Sequence, residues 1–551
     1  MIRTYTYRLI TVFAAGCSIL LYTITITAEI PADFDIFDMP DEMFAMDTEY
    51  GAALLQRRNC IDADVIVTTL QEAGIISLLE EDLYLHTNVP NDRPLDDYPA
   101  FEPSCFHLTP GWAAGFDVFW NKTNRMNLTW NSNRIDSYLA LSELALIQKL
   151  EMVIDTIAPI FVNPETTFDI AKILAGAANI SVIQRRTGFM LHGTRTWERL
   201  RVRFFCPLYY LERNFFLSQE EQDEIAAEFG FEGEREDTEF QDNHLVSDKF
   251  GLGDTRIEVD STIYNGSATE LRAGFLATIP TAFALASGIK GSSFRKTACL
   301  PQANIFETLF CIAFSNKTDA QKAAEAIALL RCFGLGALDR LSANLLDSPL
   351  GNGGHLGIGL LLRSQTDLNK WLLHTRGHEF EWRNRVSLEY QLPANEKRFF
   401  VEKNCIAAFN ARDFSSVENA DSNLEFLEEQ LVKRLYPVAF DVLIQPGIIC
   451  RLDSRICYQR KRWGLMLGSD LWAQSRAHFK SIDAFGRLAN QIDICKTETS
   501  GAYQIKLFGG LSYTCERPKR TWLFSLDGDA TIANGGIGKD YSIVLNVETH
   551  F

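Results

Sequence analysis

Along most of the chain after Cys105, apolar and polar residues alternate one for one. In 378–392, HEFEWRNRVSLEYQL, Phe380, Trp382, Val386, Leu388 and Tyr390 share one side of an extended chain. Glu379, Glu381, Arg383, Arg385 and Glu389 share the other, and Asn384 is the one polar residue on the apolar side. Successive side chains of a strand point to opposite faces, so such a stretch predicts a β-strand with one apolar and one ionic face. The same division recurs in 198–205, where Arg199, Arg201 and Arg203 oppose Leu200, Val202 and Phe204. It recurs in 253–264, where Asp254, Arg256, Glu258 and Asp260 oppose Ile257, Val259 and Ile263. In 270–279, Leu271, Ala273, Phe275, Ala277 and Ile279 form an apolar face, and the intervening NGSAT (265–269) has hairpin length. Further strands are expected over 442–458, 463–473, 502–514, 521–526 and 541–551.

The last of these reads DYSIVLNVETHF. Tyr541, Ile543, Leu545, Val547, Thr549 and Phe551 fall on one face, with Ser542, Val544, Asn546, Glu548 and His550 on the other. An unpaired edge on such a strand invites association with another chain, and a closed barrel removes that edge. A two-sheet sandwich needs the same alternation and is the competing architecture. Short turns such as 459–462 and 515–519 alternate with long connections at 284–353, 393–437 and 474–501, the arrangement of a barrel with one short-turn rim and one long-loop rim. Two of the long connections read as helical, 319–346 and 423–435. RVRFFCPLYYLERNFF (201–216) and RVSLEYQLPANEKRFF (385–400) share Arg-Val and then Glu-basic-x-Phe-Phe at equal spacing, which marks equivalent strand-to-loop transitions.

Composition narrows the picture. A formal charge of −18 argues against nucleic acid as a partner, because its phosphates call for a basic face. Hydrophobic residues at 46% are ordinary, while 38 Phe make the chain rich in aromatics. Arg3 and Arg8 precede an apolar run ending at Ala28, as in an export signal over 1–28; an uncleaved anchor helix is the alternative. Residues 29–56 carry many acids and no Lys or Arg, and 29–104 reads as an acidic periplasmic or plug-like segment ahead of a barrel over 105–551. A helical 138–162 would carry Glu143, Lys149, Glu151 and Asp155, so it is not read as a membrane helix. The 12 Cys show no CxxC pair, so no zinc site is expected.

The signal, the alternating strands and the aromatic last residue resemble Gram-negative outer-membrane β-barrel proteins. GLGDTRIEV followed by LRAGFLATIPTA is also similar to hairpins of hydrocarbon and fatty-acid transporter barrels. The resemblance implies an all-β, transmembrane antiparallel barrel of about 12–14 strands with long, partly helical loops. It implies residence in the cell outer membrane, with the lipid bilayer and the barrel-assembly machinery as partners. That machinery would read Tyr541, Ile543, Leu545, Val547 and Phe551.

Lipid-facing Arg or Lys near the bilayer midplane costs about 2–4 kcal/mol. The ionic faces (Arg199, Arg201, Arg203, Asp254, Arg256, Glu258, Asp260, Glu379, Glu381, Arg383 and Arg385) are therefore expected inside the barrel. There they would either line an aqueous path or form a cross-strand ion-pair ladder that fills it. Trp382, Tyr390, Trp463, Trp472, Trp522, Tyr541 and Phe551 are expected outside, as an aromatic girdle.

Enzyme motifs are weak. HTRGH (374–378) leads into a strand, so its two histidines do not align as ligands on a helix. ANGGIGKD (533–540) departs from a phosphate loop at Ala533 and Asp540. DGDATIANGG (527–536) lacks the last glutamate of a calcium loop and reads as a Gly-rich surface turn. Five Asn-x-Ser/Thr sites (Asn121, Asn127, Asn179, Asn265, Asn316) are taken as chance occurrences. No enzyme activity, cofactor or metal is expected. The expected function is a porin-like channel or passive transporter for small solutes, with a non-conducting structural or adhesive barrel as the alternative and a barrel-embedded hydrolase third.

Overall fold

The computed structural model describes residues 93–95, 98–99, 111–126, 181–217, 240–289, 315–372, 378–400, 438–482, 501–518 and 520–551, with isolated residues in 220–226 and 308–312. The expected signal (1–28), the stretch 138–162 and the helix over 423–435 lie outside them.

The alternating stretches become strands that pair in chain order. Twelve form a wall: β1 (Gly111–Met126), β2 (Ser181–Thr196), β3 (Leu200–Phe216), β4 (Thr255–Asn265), β5 (Thr269–Ile279) and β6 (Gly357–Asp367). They continue as β7 (Glu379–Gln391), β8 (Ile449–Arg460), β9 (Trp463–Gln474), β10 (Ala502–Arg517), β11 (Arg520–Gly535) and β12 (Lys539–His550). Each strand is antiparallel to its neighbours in sequence, and β12 returns to β1 with Leu545 opposite Val118 and Ile543 opposite Trp120. The seam is continued by Phe551, whose backbone exchanges two 2.9 Å hydrogen bonds with Trp112. The wall is therefore a closed antiparallel barrel of 12 strands, and the sandwich alternative falls.

One rim carries the short turns 197–199, 266–268, 461–462 and 518–519; the other carries the long connections 217–254, 280–356, 392–448 and 475–501. At the long-loop rim the strands run on past the wall. Val246–Leu252 pairs with the upper part of β3 and with Phe283–Ser287, extending the β4–β5 hairpin across breaks at 253–254 and 280–282. Ala394–Phe400, Val438–Gln445 and His478–Ile482 form a three-stranded sheet that prolongs β7, β8 and β9 in the same order. Pro280 and Pro446 sit in these breaks, as expected of a residue that cannot donate to a ladder. The two Glu-basic-x-Phe-Phe motifs thus remain in strand conformation, at Glu212–Phe216 within β3 and Glu396–Phe400 in the extension.

The helix expected over 319–346 is present as α1 (Asp319–Leu346). Thr318 and Gln321 form a capping box that satisfies donors at its N-terminus. Its C-terminal half packs on the extended hairpin: Asp339 meets His244 Nδ1 at 2.5 Å, and Ser342 donates to the His244 carbonyl at 2.6 Å.

Several expectations are corrected. Residues 527–536 are not a surface turn, because β11 continues through them to Gly535. Asp and Gly are poor strand formers, but here Asp527 and Asp529 point inward and are bound by Ser525, Lys506 and Ser542, so tertiary partners override propensity. Arg199 lies in the exposed turn before β3, not on its ionic face, because the β2–β3 turn reaches to residue 199. Asp254 lies just before β4 rather than within it, but still borders the interior, buried and accepting from the backbone N–H groups of Asn352 (2.6 Å) and Ala282 (3.2 Å). Trp472 is fully buried and faces inward, with Ile449, Ala502 and Ile537, rather than joining an outer girdle.

Candidate functional site

The wall divides cleanly into two faces. Phe275 is 66% exposed, Leu467 60% and Leu360 58%, and Phe189, Leu191, Leu388, Leu465, Leu526 and Ile543 are exposed around the ring. Burying one such side chain is worth about 1.5–3 kcal/mol, so a belt of them left in water would be strongly unfavourable. A lipid-facing surface is what such a belt suits, and the molecule has the architecture of an outer-membrane-type β-barrel. Among the described residues no helix is long and apolar enough to cross a membrane. Near the short-turn rim, Trp463 and Tyr513 meet edge to face at 5.0 Å, and the Arg195 guanidinium lies 4.9 Å from the Trp112 ring and 5.3 Å from that of Trp197. Trp120 and Tyr541 pair similarly at 5.2 Å near the other rim. Tyr541, Ile543, Leu545 and Val547 share the outward face of β12, and Phe551 follows them, 58% exposed.

The inner face is ionic. Arg201, Arg203, Arg256, Glu258, Asp260, Glu381 and Arg385 are buried, Arg383 is half-buried, and Glu379 is exposed at the short-turn rim. Asp260 on β4 accepts three bonds from Arg201, two from Nε and one from Nη2 (2.9–3.2 Å), and one from Arg272 Nε at 2.5 Å, and it also binds Arg363. One turn of the pleat away, Glu258 binds Arg363 and Arg385 at 2.5 Å each and Arg256 at 3.2 Å. Adjacent strands bring these charges to matching heights, so each carboxylate is shared by three arginines.

Two cavities flank this layer. The upper one, about 170 Å³, opens toward the long loops and is lined by Arg256, Glu389, His355, Glu396 and Arg398, among others. The lower one, about 70 Å³, lies toward the short turns. Seven arginines line it: Arg201, Arg203, Arg272, Arg363, Arg383, Arg385 and Arg455. Glu270 and Asp453 are its lining carboxylates, and no residue lines both cavities. Glu258, with its three arginines, stands between them.

A second element enters the interior from before the wall. Arg93 is fully buried, with Nη2 2.5 Å from Asp470 and Nη1 3.2 Å from Gln504 Oε1, while Arg186 donates to its carbonyl at 3.1 Å. The Tyr98 hydroxyl donates to Asp540, and Lys506 Nζ lies 3.9 Å from the centre of the Tyr98 ring. Leu95 and Tyr98 pack against Phe119, Met190, Phe205, Tyr209, Leu211 and Val544. These inward apolar residues break the ionic pattern where they seat the segment. Sequence reasoning missed them; an apolar residue on an otherwise polar face, such as Phe119 between Asp117 and Asn121, was the available signal.

Other candidates are apart from any catalytic or metal arrangement. His192 meets Asp117 at 3.5 Å and Asn546 at 3.1 Å, neither of them an acyl-transfer nucleophile. His378 bonds the Tyr458 hydroxyl at 2.7 Å. Asn534 donates to the Ile537 carbonyl, away from Asp527 and Asp529. Among the described residues no group of three or more His, Cys, Asp and Glu could hold a metal ion. Cys332 and Cys457 are in disulfides, whereas Cys206, Cys311, Cys450 and Cys515 are free thiols.

No family model matches the chain, and no curated protein matches it. Among solved structures, an outer membrane channel from Pseudomonas putida F1 is similar at 9% identity and TM-score 0.34, over 84% of this chain and 100% of that one. The transport unit of the Escherichia coli autotransporter AIDA-I is similar at 5% identity and TM-score 0.32, over 83% and 95%. The Pseudomonas putida toluene transporter TodX is similar at 9% identity and TM-score 0.26, over 82% and 90%. Values this low carry no weight for function; the architecture rests on the strand pairing.

Proposed function

We propose that this protein is a passive channel for small polar solutes in an outer membrane. The observation that carries the reading is a closed, lipid-compatible wall around an ionic interior that holds two cavities at successive depths. The lining favours hydrated solutes, because moving an apolar molecule past Glu258 and its arginines would strip water from charges without replacing it. Arg93, Leu95 and Tyr98 lie within the upper interior and would narrow the path. The chain would reach the membrane through its leader and the assembly machinery, which would engage the outward residues of β12 and Phe551.

A non-conducting barrel is the second reading, favoured by the same Glu258 layer and the same seated segment, which fill much of the lumen. Planar-bilayer recording of the purified full chain separates the two. Discrete ion-conducting steps are expected, and sustained silence at all voltages from protein shown to be inserted would reject the channel.

A further inference from the structure

We infer that the short-turn rim carries a docking site for anionic phospholipid headgroups, on the side of the barrel formed by β8–β11. The inference rests on the reading that the wall lies in a bilayer, and it is independent of whether the barrel conducts.

The sequence concentrates charge there. In a chain of formal charge −18, QRKR (459–462) and CERPKR (515–520) together carry six Lys and Arg against one acid, Glu516. The pairing of β9 with β10 sets these two turns side by side: Trp463 lies opposite Tyr513, and the Thr514 N–H donates to the Arg462 carbonyl at 2.8 Å. On the outward face, three strands pass from an aromatic residue to an arginine as they approach the rim. These are Tyr458 to Arg460 on β8, Tyr513 to Arg517 on β10 and Trp522 to Arg520 on β11. Aromatic rings settle at the headgroup level of a bilayer, so arginines just beyond them stand at the height of the lipid phosphates. Arg517 and Arg520 lie directly opposite each other in the β10–β11 ladder. Like charges so placed repel, and an anion between them removes the cost. Arg460, Arg517 and Arg520 are exposed, and among the described residues no carboxylate is ion-paired with any of them. Guanidinium forks match the oxygen spacing of a phosphate group. Across the barrel the pattern stops: Tyr264 approaches the rim on β4 with no arginine beyond it, and Lys370 in the β6–β7 connection is paired with Asp367 at 3.7 Å. Cations serving solubility alone have no reason to follow the aromatic residues of one side. An acidic protein segment would also meet the charge, but the three arginines continue the lipid-facing rows, which favours lipid. Short turns lie at the periplasmic rim of such barrels, so the lipid is that of the periplasm-facing leaflet.

The test is native mass spectrometry of the purified full chain, released from detergent after equilibration with phosphatidylglycerol in one arm and phosphatidylcholine in the other. Retained phosphatidylglycerol should exceed phosphatidylcholine by about fivefold or more, which is what one well-placed cation supplies near an anionic surface. The preference should fall to parity in the variant Arg460→Gln, Arg517→Gln, Arg520→Gln. It should also fall to parity for the wild type at about 1 M salt, where charges are screened beyond about 3 Å. Heat-modifiable gel migration reads folding of the variant, and Arg517→Gln alone, with the salt series, serves should the triple change not fold. Equal retention of both lipids by the wild type, or a preference unchanged in a folded variant, overturns the proposal. A third arm offers poly-glutamate: binding of the peptide without a lipid preference assigns the rim to an acidic protein partner and overturns it as well. Retention of neither lipid would remove the bilayer reading along with the site, whereas a silent planar bilayer with the lipid preference intact would reject only the channel.

Discussion

Glu396 shows how single charges work at the long-loop rim. It lies in the sheet above the wall, with His355 Nε2 at 2.6 Å and Arg398 Nε at 2.7 Å. Burial alone would raise its carboxyl, but Arg398 and then His355 outweigh that and hold it down at about 2. A depressed folded value means the contribution is complete above the unfolded value near 4.5 and is lost as pH falls through about 2. Glu396→Gln should therefore lower stability by roughly 3 kcal/mol at neutral pH, with the difference from wild type closing between about pH 5 and pH 2. Urea denaturation in vesicles at stepped pH measures this; a difference that stays constant down to pH 2 would contradict it. The Glu-basic-x-Phe-Phe motif marked this place in the sequence, but His355 lies 41 residues away and is joined to it only by the fold.

At the scale of elements, the strands were legible because a membrane wall enforces strict alternation on each of them. β12 is the clearest case, with Ile543 and Leu545 outward and Ser542 and Asn546 inward. Leu545→Arg should cost about 2–4 kcal/mol if this face meets the hydrocarbon. The measurement is refolding into lipid vesicles under urea, where unchanged stability would mean that β12 does not face lipid. Phe551→Ala should leave vesicle refolding nearly intact while reducing insertion in cells, the separation expected of a recognition signal. Where alternation failed to locate an element, another force had prevailed. β11 runs on through DGDATIANG because Lys506 and Ser542 hold Asp529 inside. Trp472 was expected among the lipid-facing aromatics, but it alternates with Leu471 and Ala473 on the side of Asp470 and Met466, opposite Trp463, and so faces the interior. α1 was visible at both ends: Thr318 and Gln321 form a capping box at its start, and Asp347 and Pro349 lie beyond its end.

The whole molecule is a closed wall around an interior occupied by its own chain. Arg93 and Tyr98 hold their segment by one ion pair and one charge-assisted hydrogen bond to a single side of the wall, the adjoining strands β9 to β12. Breaking a buried pair from one side costs about 3–5 kcal/mol, here directed against the seated segment as well as the wall. In planar bilayers, Arg93→Ala combined with Tyr98→Ala should raise single-channel conductance severalfold or increase the open time. Recordings indistinguishable from wild type, from protein that still shows heat-modifiable migration, would mean the segment does not limit the path.

What the sequence determined by itself was the wall. Lipid outside and water or charge inside act on every residue in turn, so their demand is written locally, at a period of two. It could not say which charges meet, because Asp260 gathers Arg201, Arg272 and Arg363 from three different strands and Glu258 shares the last of them. Nor could it say that Arg93 would lie beside Asp470, 377 residues on. Those partnerships depend on the strand count and the register of the closed ring, which are properties of all twelve strands together and of no stretch alone.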